Sequence, residues 1–486
     1  MKADTTINKS LLTGLFWVLF LNLLIKPFWI LGIEVGAQNA VGAAEYGLYI
    51  TLFNIAYIFN ILLDVGITNF NTRNIAQHPT LIAKYLSGIL STKMLLLGLY
   101  VVVTFTVGLL KGYDSRHFAL LALLSLNQFL NSLILFLRSN YEGLLLFKWD
   151  SVISILDRVV MILICGCLLW LPNHPVFKIE YFVLAQTVAY IATAIVALAV
   201  LLKKVPLGRL HFSWPFTCAV LKQSLPFALL VLLMASYNRI DPILLEDLST
   251  DGTFQAGIYA GAFRLLDALT MVAYLVSVPL LPIFSKLLAP GSEQPQQLKV
   301  QLRLVTSLMV LFSVTAAVGS YHAKQPLMQL LYHDNELQYA RVFGILVFGI
   351  IPISMTYVYG TLLTAGGRLK YLNIMASITL AINIAVNLIA IPRYGAWGSA
   401  WASLIAQSFM ALAQIIVALR IFNIIPSYGY ILKLILFTLI LVVSATIMPF
   451  SEWWACLSAT AIIALLLAIV LRLINVKEII NMLKNK

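Results

Sequence analysis

Residues 11–33 read LLTGLFWVLFLNLLIKPFWILGI, a run in which Lys26 is the only charged side chain. A stretch of roughly 20 mostly apolar residues is long enough to cross a bilayer as a helix. Lys2 and Lys9 precede the run, but it is too long for the core of a signal peptide and lacks a small-residue cleavage site. We therefore predict a retained first membrane span.

The rest of the chain repeats this pattern. Of the 486 residues 61% are hydrophobic and 10% are charged, against roughly 45–50% and 25% in soluble domains. The mean hydropathy of +0.94 shows that the apolar residues extend over the whole chain. This composition excludes a soluble protein, and it predicts an all-α polytopic membrane protein with about 14 transmembrane helices.

The apolar runs between polar segments give the predicted spans. They cover residues 11–33, 45–70, 82–110, 117–138, 150–171, 178–202, 223–246, 254–285, 299–321, 339–364, 371–391, 396–420, 429–449 and 453–474.

The placement of basic residues predicts the orientation. Lys and Arg are about three times as frequent in the loops on the N-terminal side of the membrane as in those on the other side, and basic loops stay cytoplasmic. We therefore predict an integral protein of the cell (inner or plasma) membrane with both termini in the cytoplasm. The net charge of +13 lies between the spans rather than in a tail or on one helix face, so no nucleic-acid partner is expected. The four cysteines lie in or beside apolar runs and imply neither a disulfide framework nor a metal site.

Two parts of the chain resemble each other. Gly47-Leu48-Tyr49 is echoed by Gly257-Ile258-Tyr259, and Ala-Gln at 185–186 by Ala-Gln at 406–407. We predict an N-terminal six-helix lobe at 1–203, a cytoplasmic linker at 204–222, a second six-helix lobe at 223–423, and two extra helices with a cytoplasmic tail at 424–486. Such repeats suit two lobes that rock about a central site.

Three segments carry a resemblance to a known family. They are GAAEYGLY at 42–49, YNRID at 237–241, and IPRYGAWGSAWAS at 391–403. The chain resembles the Wzx-like oligosaccharide or polysaccharide flippase branch of the multidrug/oligosaccharidyl-lipid/polysaccharide exporter superfamily. The resemblance implies a 14-span, two-lobe fold, no enzymatic activity, and export of isoprenoid-diphosphate-linked oligosaccharide by alternating access. It also implies membrane lipid as a partner, with a polysaccharide polymerase and other assembly proteins as candidate partners.

Ionisable side chains inside spans are the candidate functional residues, because each costs roughly 2.5–3.5 kcal/mol at mid-bilayer and normally faces a cavity or a partner. They are Lys26, Asp64, Asp157, Arg158, Arg239, Asp241, Arg264 and Asp267.

Three of these cations predict a diphosphate site. Lys26 and Arg239 each lie about seven residues, roughly 10 Å, from the outer end of a span that begins a repeat. Arg264 lies about 15 Å from the outer end of its span. Arg binds phosphate through two parallel hydrogen bonds and Lys acts as a point charge. We assign these cations, with Tyr237 and Asn238, to substrate binding.

The carboxylates predict ion coupling. Asp64 has no local partner, and Asp241 and Asp267 lie in the spans that carry Arg239 and Arg264. We assign these three acids to a coupling ion, with Na⁺ or H⁺ as the candidates; no other cofactor and no metal site is expected.

Structural roles compete with these assignments. Lys26 and Arg239 can extend to the headgroups, and Arg264 and Asp267 are three residues apart and can neutralise each other. A structural ion pair is also the favoured interpretation of Asp157 and Arg158.

The sequence leaves two other functions open. One is a drug/cation antiporter of the same superfamily, although a cationic substrate favours a cleft dominated by carboxylates, and here cations and acids are balanced. The other is an integral-membrane polysaccharide polymerase or glycosyltransferase, which usually needs a sizeable outer loop or an acidic catalytic pair. No phosphate-binding loop of the Gly-x-x-x-x-Gly-Lys kind is present, so ATP is not expected to be the direct energy source.

Overall fold

The structure is a computed structural model that describes residues 25, 27–68, 71–72, 75, 82–144, 146–171, 176–203, 205, 213–277, 280–288, 295–447 and 452–473. Nearly all of these residues are helical, and none of them forms a strand. Eleven helices in this part of the chain are long and apolar enough to cross a membrane, or twelve if one bent pair counts as a single span. The predicted all-α membrane fold is therefore confirmed.

A π-helical segment, Trp29–Glu34, precedes the first α-helix. The helices are α1 (Val35–Val41), α2 (Ala43–Ile58), α3 (Ile61–Asp64), α4 (Ile82–Leu110), α5 (Ser115–Gly143), α6 (Phe147–Trp170), α7 (Ile179–Leu202), α8 (Trp214–Arg239), α9 (Asp241–Leu248), α10 (Gly252–Ser277), α11 (Leu280–Leu287), α12 (Pro295–His322), α13 (Lys324–Leu331), α14 (Glu336–Leu346), α15 (Ile350–Ala365), α16 (Leu369–Ile421), α17 (Tyr428–Ile447) and α18 (Trp453–Val470).

The chain forms two compact units. Unit 1 comprises Met1–Asp247 and Asp251–Gly257, and unit 2 comprises Leu248–Thr250 and Ile258–Lys486. The predicted linker at 204–222 falls inside unit 1, because α8 packs on α2 and α4. The compact units and the predicted sequence repeats thus divide the chain at different places, and the repeat boundaries remain predictions.

The 53-residue helix α16 is a hairpin of two spans. At about 1.5 Å per residue a straight helix of this length would be far longer than a bilayer is thick. Gly395 has φ 54° and ψ −134°, which is not helical. The Thr379 hydroxyl lies 3.4 Å from the Met410 sulfur although 31 residues separate them, so the two halves run back along each other. The predicted spans at 371–391 and 396–420 match these halves.

A break interrupts the helix that the sequence places at 223–246. α8 ends at Arg239, α9 begins at Asp241, and their axes differ by 47°. Pro242 explains the break because it cannot donate the next helical hydrogen bond and its ring crowds the carbonyl four residues earlier.

Two glycines bring helix backbones into contact within unit 1. A Cβ atom on Gly47 of α2 would lie 1.6 Å from the Thr253 carbonyl oxygen of α10, and one on Gly257 would lie 1.8 Å from the Ala43 carbonyl oxygen. Gln38 adds a side-chain hydrogen bond of 2.9 Å to the Gly257 carbonyl oxygen. Small residues permit this approach in membrane proteins, so the Gly-x-Tyr pattern at both sites reflects close helix packing.

Ion pairs join helix ends in unit 1. The Arg116 guanidinium donates to both Glu45 oxygens, at 3.0 and 2.6 Å, and to Glu180 at 2.7 Å. Lys111 lies 3.0 Å from the Glu246 carboxylate and 2.6 Å from the Asp247 carboxylate. These contacts tie α2, α5 and α7 together, and the end of α4 to α9.

Most predicted span bounds agree with the helices to within a few residues. The span at 82–110 coincides with α4, and that at 178–202 with α7. The span predicted at 254–285 is instead occupied by α10 and α11. The total of 14 remains a prediction because most of the span at 11–33 lies outside the described residues.

Candidate functional site

A cavity with several polar side chains in its wall, called the polar cavity below, lies inside unit 1, between α2, α3, α5 and α8. Its space of about 930 Å³ is continuous with the surroundings of the protein. Its wall consists of Tyr57, Ile58, Asn60, Ile61, Asp64, Gly66, Thr68, Asn131, Ser132, Leu135, Ala228, Val231 and Ala235. Amides, hydroxyls, one aromatic ring and one carboxylate therefore face the same space, a combination that suits hydrogen bonding to a polar ligand.

Asp64 is the carboxylate of this cavity, and Lys93 of α4 is its partner. The Lys93 ammonium lies 3.1 Å from Asp64 Oδ1 and donates to the Leu63 carbonyl at 3.0 Å and to Ser132 Oγ at 2.8 Å. These three acceptors satisfy all three ammonium protons. The Lys93 side chain is 1% exposed and that of Asp64 is 24% exposed. The cation is thus buried behind the acid, and the acid borders the cavity.

The expectation that Asp64 has no local partner is wrong. Besides Lys93, Thr68 donates its hydroxyl to Asp64 Oδ1 at 2.5 Å and its backbone N–H to both carboxylate oxygens at 3.3 Å. Lys93 is missing from the ionisable residues that the sequence analysis selected. Its position inside the run at 82–110 was the signal that could have found it.

Arg239 stands beside the same cavity. Its guanidinium carbon lies 5.5 Å from the centroid of the Tyr57 ring, one of the wall residues. A cation over an aromatic face is attracted by the ring quadrupole. Arg239 is also the last residue of α8, where the negative end of the helix dipole favours a positive charge. Arg239 is half-buried, so it combines a fixed position with access to solvent.

The neighbours of Arg239 are held by the protein itself. Tyr237 and Asp241 are buried. The Asn238 amide donates to the Met234 carbonyl at 2.8 Å, one turn back along α8. Asp241 is the first residue of α9, where a carboxylate interacts favourably with the helix dipole. These contacts show structural roles for Asn238 and Asp241, while substrate binding by Tyr237 and Asn238 and ion coupling by Asp241 remain predictions.

The three cations of the predicted cleft fall in different parts of the chain. Arg264 belongs to unit 2, where it is buried and donates from Nη1 to the Tyr332 hydroxyl at 3.0 Å. That hydroxyl donates in turn to the Gly261 carbonyl at 3.0 Å. Lys26 lies outside the described residues. Substrate binding by Lys26 and Arg264 therefore remains a prediction.

The other intramembrane acids have identifiable surroundings. Asp267 in unit 2 is half-buried, and its carbonyl accepts the Thr270 hydroxyl at 2.8 Å. Asp157 and Arg158 lie 3.6 Å apart, and the Arg158 guanidinium is 5.1 Å from the Trp29 ring centroid. This geometry agrees with the structural ion pair that the sequence analysis favoured at 157–158, whereas ion coupling by Asp267 remains a prediction.

The sequence matches known families. The profile of the family described as polysaccharide biosynthesis protein matches residues 11–288, more than half of the chain, and the MatE profile matches residues 226–389. An uncharacterized membrane protein of Methanocaldococcus jannaschii is 26% identical over 317 residues, which are 60% of this chain and 69% of that protein.

Solved structures share the fold. A lipid II flippase MurJ in an inward closed conformation superposes with a TM-score of 0.72 at 15% identity, over 95% of this chain and 98% of that one. An inward-facing multidrug resistance MATE family transporter of the MOP superfamily gives a TM-score of 0.65 at 11% identity, over 81% and 94%. At these identities the likeness establishes the fold alone.

The matches and the architecture agree on one class of protein. The chain is an integral membrane protein, and the solved structures that share its fold are a flippase and a transporter. The chain belongs to the polysaccharide biosynthesis protein family, whose profile matches more than half of it.

Proposed function

We propose that this transporter is a flippase that moves isoprenoid-diphosphate-linked oligosaccharide from the cytoplasmic to the outer leaflet by alternating access. The sugar head group crosses through the polar cavity of unit 1, while the isoprenoid chain stays in lipid. Both termini are cytoplasmic in this proposal, as the distribution of Lys and Arg predicts. A polymerase and other assembly proteins would take over the product on the outer side.

The chemistry of the cavity wall is the observation that carries this proposal. Asn131 offers an amide, Asn60, Thr68 and Ser132 keep the hydrogen-bonding capacity that Gln128, Asp64 and Lys93 leave, and Tyr57 offers an aromatic face. Sugars need such neutral hydrogen-bonding groups and aromatic surfaces. A drug cation would instead need a carboxylate with uncompensated charge, and Lys93 already neutralises Asp64. The wall therefore supports a saccharide over a cationic drug.

Arg239 is the proposed contact for the diphosphate. Its guanidinium lies against Tyr57 at the cavity wall, and it can bind two phosphate oxygens at once. Moving two negative charges outward across an inside-negative potential releases about 4.6 kcal/mol per 100 mV. The membrane potential can therefore drive transport in this direction.

The surroundings of Asp64 support H⁺ rather than Na⁺ as the coupling ion at this residue. A Na⁺ ion would need the oxygens of Leu63, Asp64 and Ser132, and these already bind the Lys93 ammonium. A proton needs only one carboxylate oxygen, Asp64 reaches the cavity, and protonation would take the countercharge from the buried Lys93, which couples the proton to the packing of α3 and α4. A dependence of transport on a pH gradient and not on a Na⁺ gradient is the expected result in sealed vesicles.

The test is transport of a labelled lipid-linked oligosaccharide in reconstituted vesicles. Loss of one charged hydrogen-bonding group that binds the substrate reduces transport roughly tenfold to a hundredfold, so we expect this for Arg239→Ala. Arg341→Ala is the matched control, because Arg341 also lies over an aromatic ring, 4.9 Å from the Trp397 centroid, but in unit 2. Wild-type transport by Arg239→Ala at a normal level of folded protein would refute the diphosphate contact.

A binding screen separates the proposed substrate from the drug/cation alternative. Thermal stabilisation of the purified protein by an isoprenoid-diphosphate sugar, and not by cationic drugs, is expected. Stabilisation by cationic drugs alone would favour the antiporter. In cells, loss of the protein should accumulate completed lipid-linked units on the cytoplasmic side.

A further inference from the structure

A second groove lies in unit 2, at the ends of several helices and outside the polar cavity described above. It holds about 410 Å³ of empty space. Its wall is formed by Lys299, Leu302, Arg303, Thr306, Tyr359, Leu419, Ile424, Pro426, Ser427 and Tyr430.

Two cations dominate the groove. Lys299 and Arg303 are four residues apart on α12, so they share one helix face. Both side chains are exposed. Neither has a carboxylate within ion-pair distance among the described residues, and none of the groove residues is acidic. The groove therefore has a net positive charge that the described protein leaves uncompensated.

The Arg303 side chain is held in place. Its guanidinium carbon lies 4.8 Å from the centroid of the Tyr430 ring. The Tyr430 hydroxyl is fixed by the Arg303 carbonyl at 3.2 Å and by the Ser307 hydroxyl at 3.0 Å. Stacking occupies one face of the guanidinium and leaves its edge N–H groups to bind an anion.

The groove lies near the starts of α12 and α17, the part of a spanning helix that meets lipid headgroups. Lys299 and Arg303 are one and two turns from the start of α12. Ser427 of the groove wall directly precedes the N-terminus of α17, whose helix dipole favours an anion. A phosphate here would meet two cations, the Ser427 hydroxyl and a helix N-terminus.

The wall also has an apolar part. Leu302, Leu419, Ile424 and Pro426 belong to it, and free inorganic phosphate gains nothing from such side chains. A phosphate that carries a glycerol and acyl chains gains from both parts of the wall. Basic pockets between transmembrane helices are suited to anionic lipid headgroups.

We propose that this groove binds the phosphate headgroup of an anionic phospholipid such as phosphatidylglycerol. The bound lipid links α12 to the start of α17. Phe437 and Leu441 of α17 pack in one cluster with Val314 of α12 and Ala464 of α18, so the lipid reinforces the attachment of the last two helices. This proposal does not depend on the identity of the transported substrate.

The test is native mass spectrometry of the delipidated full-length protein titrated with phosphatidylglycerol, and separately with phosphatidylcholine and inorganic phosphate. Basic residues strengthen the binding of an anionic lipid, and the loss of two of them should weaken that binding about 30-fold. We expect this loss for the double variant Lys299→Gln/Arg303→Gln. Arg368→Gln/Lys370→Gln, an exposed pair outside the groove with the same charge change, should bind as the wild type does.

A variant that keeps the charges separates the effect of charge from that of folding. Lys299→Arg/Arg303→Lys retains both charges and should retain phosphatidylglycerol binding. An equal loss in the control pair would overturn the proposal, because binding would then reflect general surface charge. Binding of inorganic phosphate as strong as that of phosphatidylglycerol would also overturn it, because the groove would then be a free-phosphate site.

Discussion

Replacing Asp64 by Asn would leave the Lys93 ammonium buried without its countercharge. Removing one partner of a buried ion pair costs about 3–5 kcal/mol. Lys93 is 1% exposed, but Asp64 is 24% exposed and partly screened by solvent, so we expect a loss near the lower end, about 3 kcal/mol. The Leu63 carbonyl and Ser132 hydroxyl continue to bind the ammonium, which also limits the loss.

The assay is unfolding of the purified protein by SDS titration in mixed micelles, followed by circular dichroism. The double variant Asp64→Asn/Lys93→Met removes both charges. It should recover most of the stability, because replacing both members of a buried pair is often close to neutral. The recovery measures the coupling between the two residues directly.

Asp247→Asn is the control for this experiment. Asp247 is 45% exposed, and its partner Lys111 keeps a second carboxylate, that of Glu246, at 3.0 Å. Such exposed pairs contribute at most about 1 kcal/mol. An Asp64→Asn protein within 1 kcal/mol of the wild type, or a double variant no more stable than the single one, would refute the buried-pair interpretation.

Three other changes follow from the geometry. Gly47→Ala places a Cβ 1.6 Å from the Thr253 carbonyl oxygen, so the two helices must separate. We expect the free energy of unfolding to fall by about 1–3 kcal/mol. An unchanged SDS midpoint would contradict the contact. Gly395→Ala forces φ 54° and ψ −134° on a residue with a side chain. This strain should lower the free energy of unfolding by about 1–3 kcal/mol in the same SDS titration. A wild-type midpoint would argue against this turn. The His117 backbone N–H and ring hold the pKa of the Asp114 carboxyl below its usual value. Asp114 therefore stabilises the fold at pH values above its unfolded pKa of about 3.9. This stabilisation is lost as the pH falls through the lower pKa of the folded state. The difference in thermal midpoint between wild type and Asp114→Ala should therefore shrink in acid; a gap independent of pH would exclude this linkage.

The spans were predictable because they depend on local hydrophobic length. The run at 82–110 coincides with α4, and Pro242 marks the break between α8 and α9. The two spans of the hairpin were also separated correctly, since Pro392, Arg393 and Gly395 interrupt the apolar run.

The candidate site was less predictable because it depends on contacts between distant parts of the chain. Asp64 and Lys93 lie on different helices, 29 residues apart, and periodicity within one helix does not reveal such a pair. The position of Arg239 over Tyr57 depends in the same way on the packing of α8 against α2. The basic groove of unit 2 brings together residues from Lys299 to Tyr430, and no single segment shows this combination.

The contact between the two Gly-x-Tyr segments is reciprocal, as the contacts in a symmetric homodimer interface are. Gly47 meets the carbonyl of Thr253, and Gly257 meets the carbonyl of Ala43. Gly47 and Gly257 are 210 positions apart, and so are Ala43 and Thr253. Exchanging the members of both pairs turns one contact into the other, as a twofold axis does in a symmetric dimer interface. A side chain at Gly257 should therefore disturb the same helix contact as a side chain at Gly47.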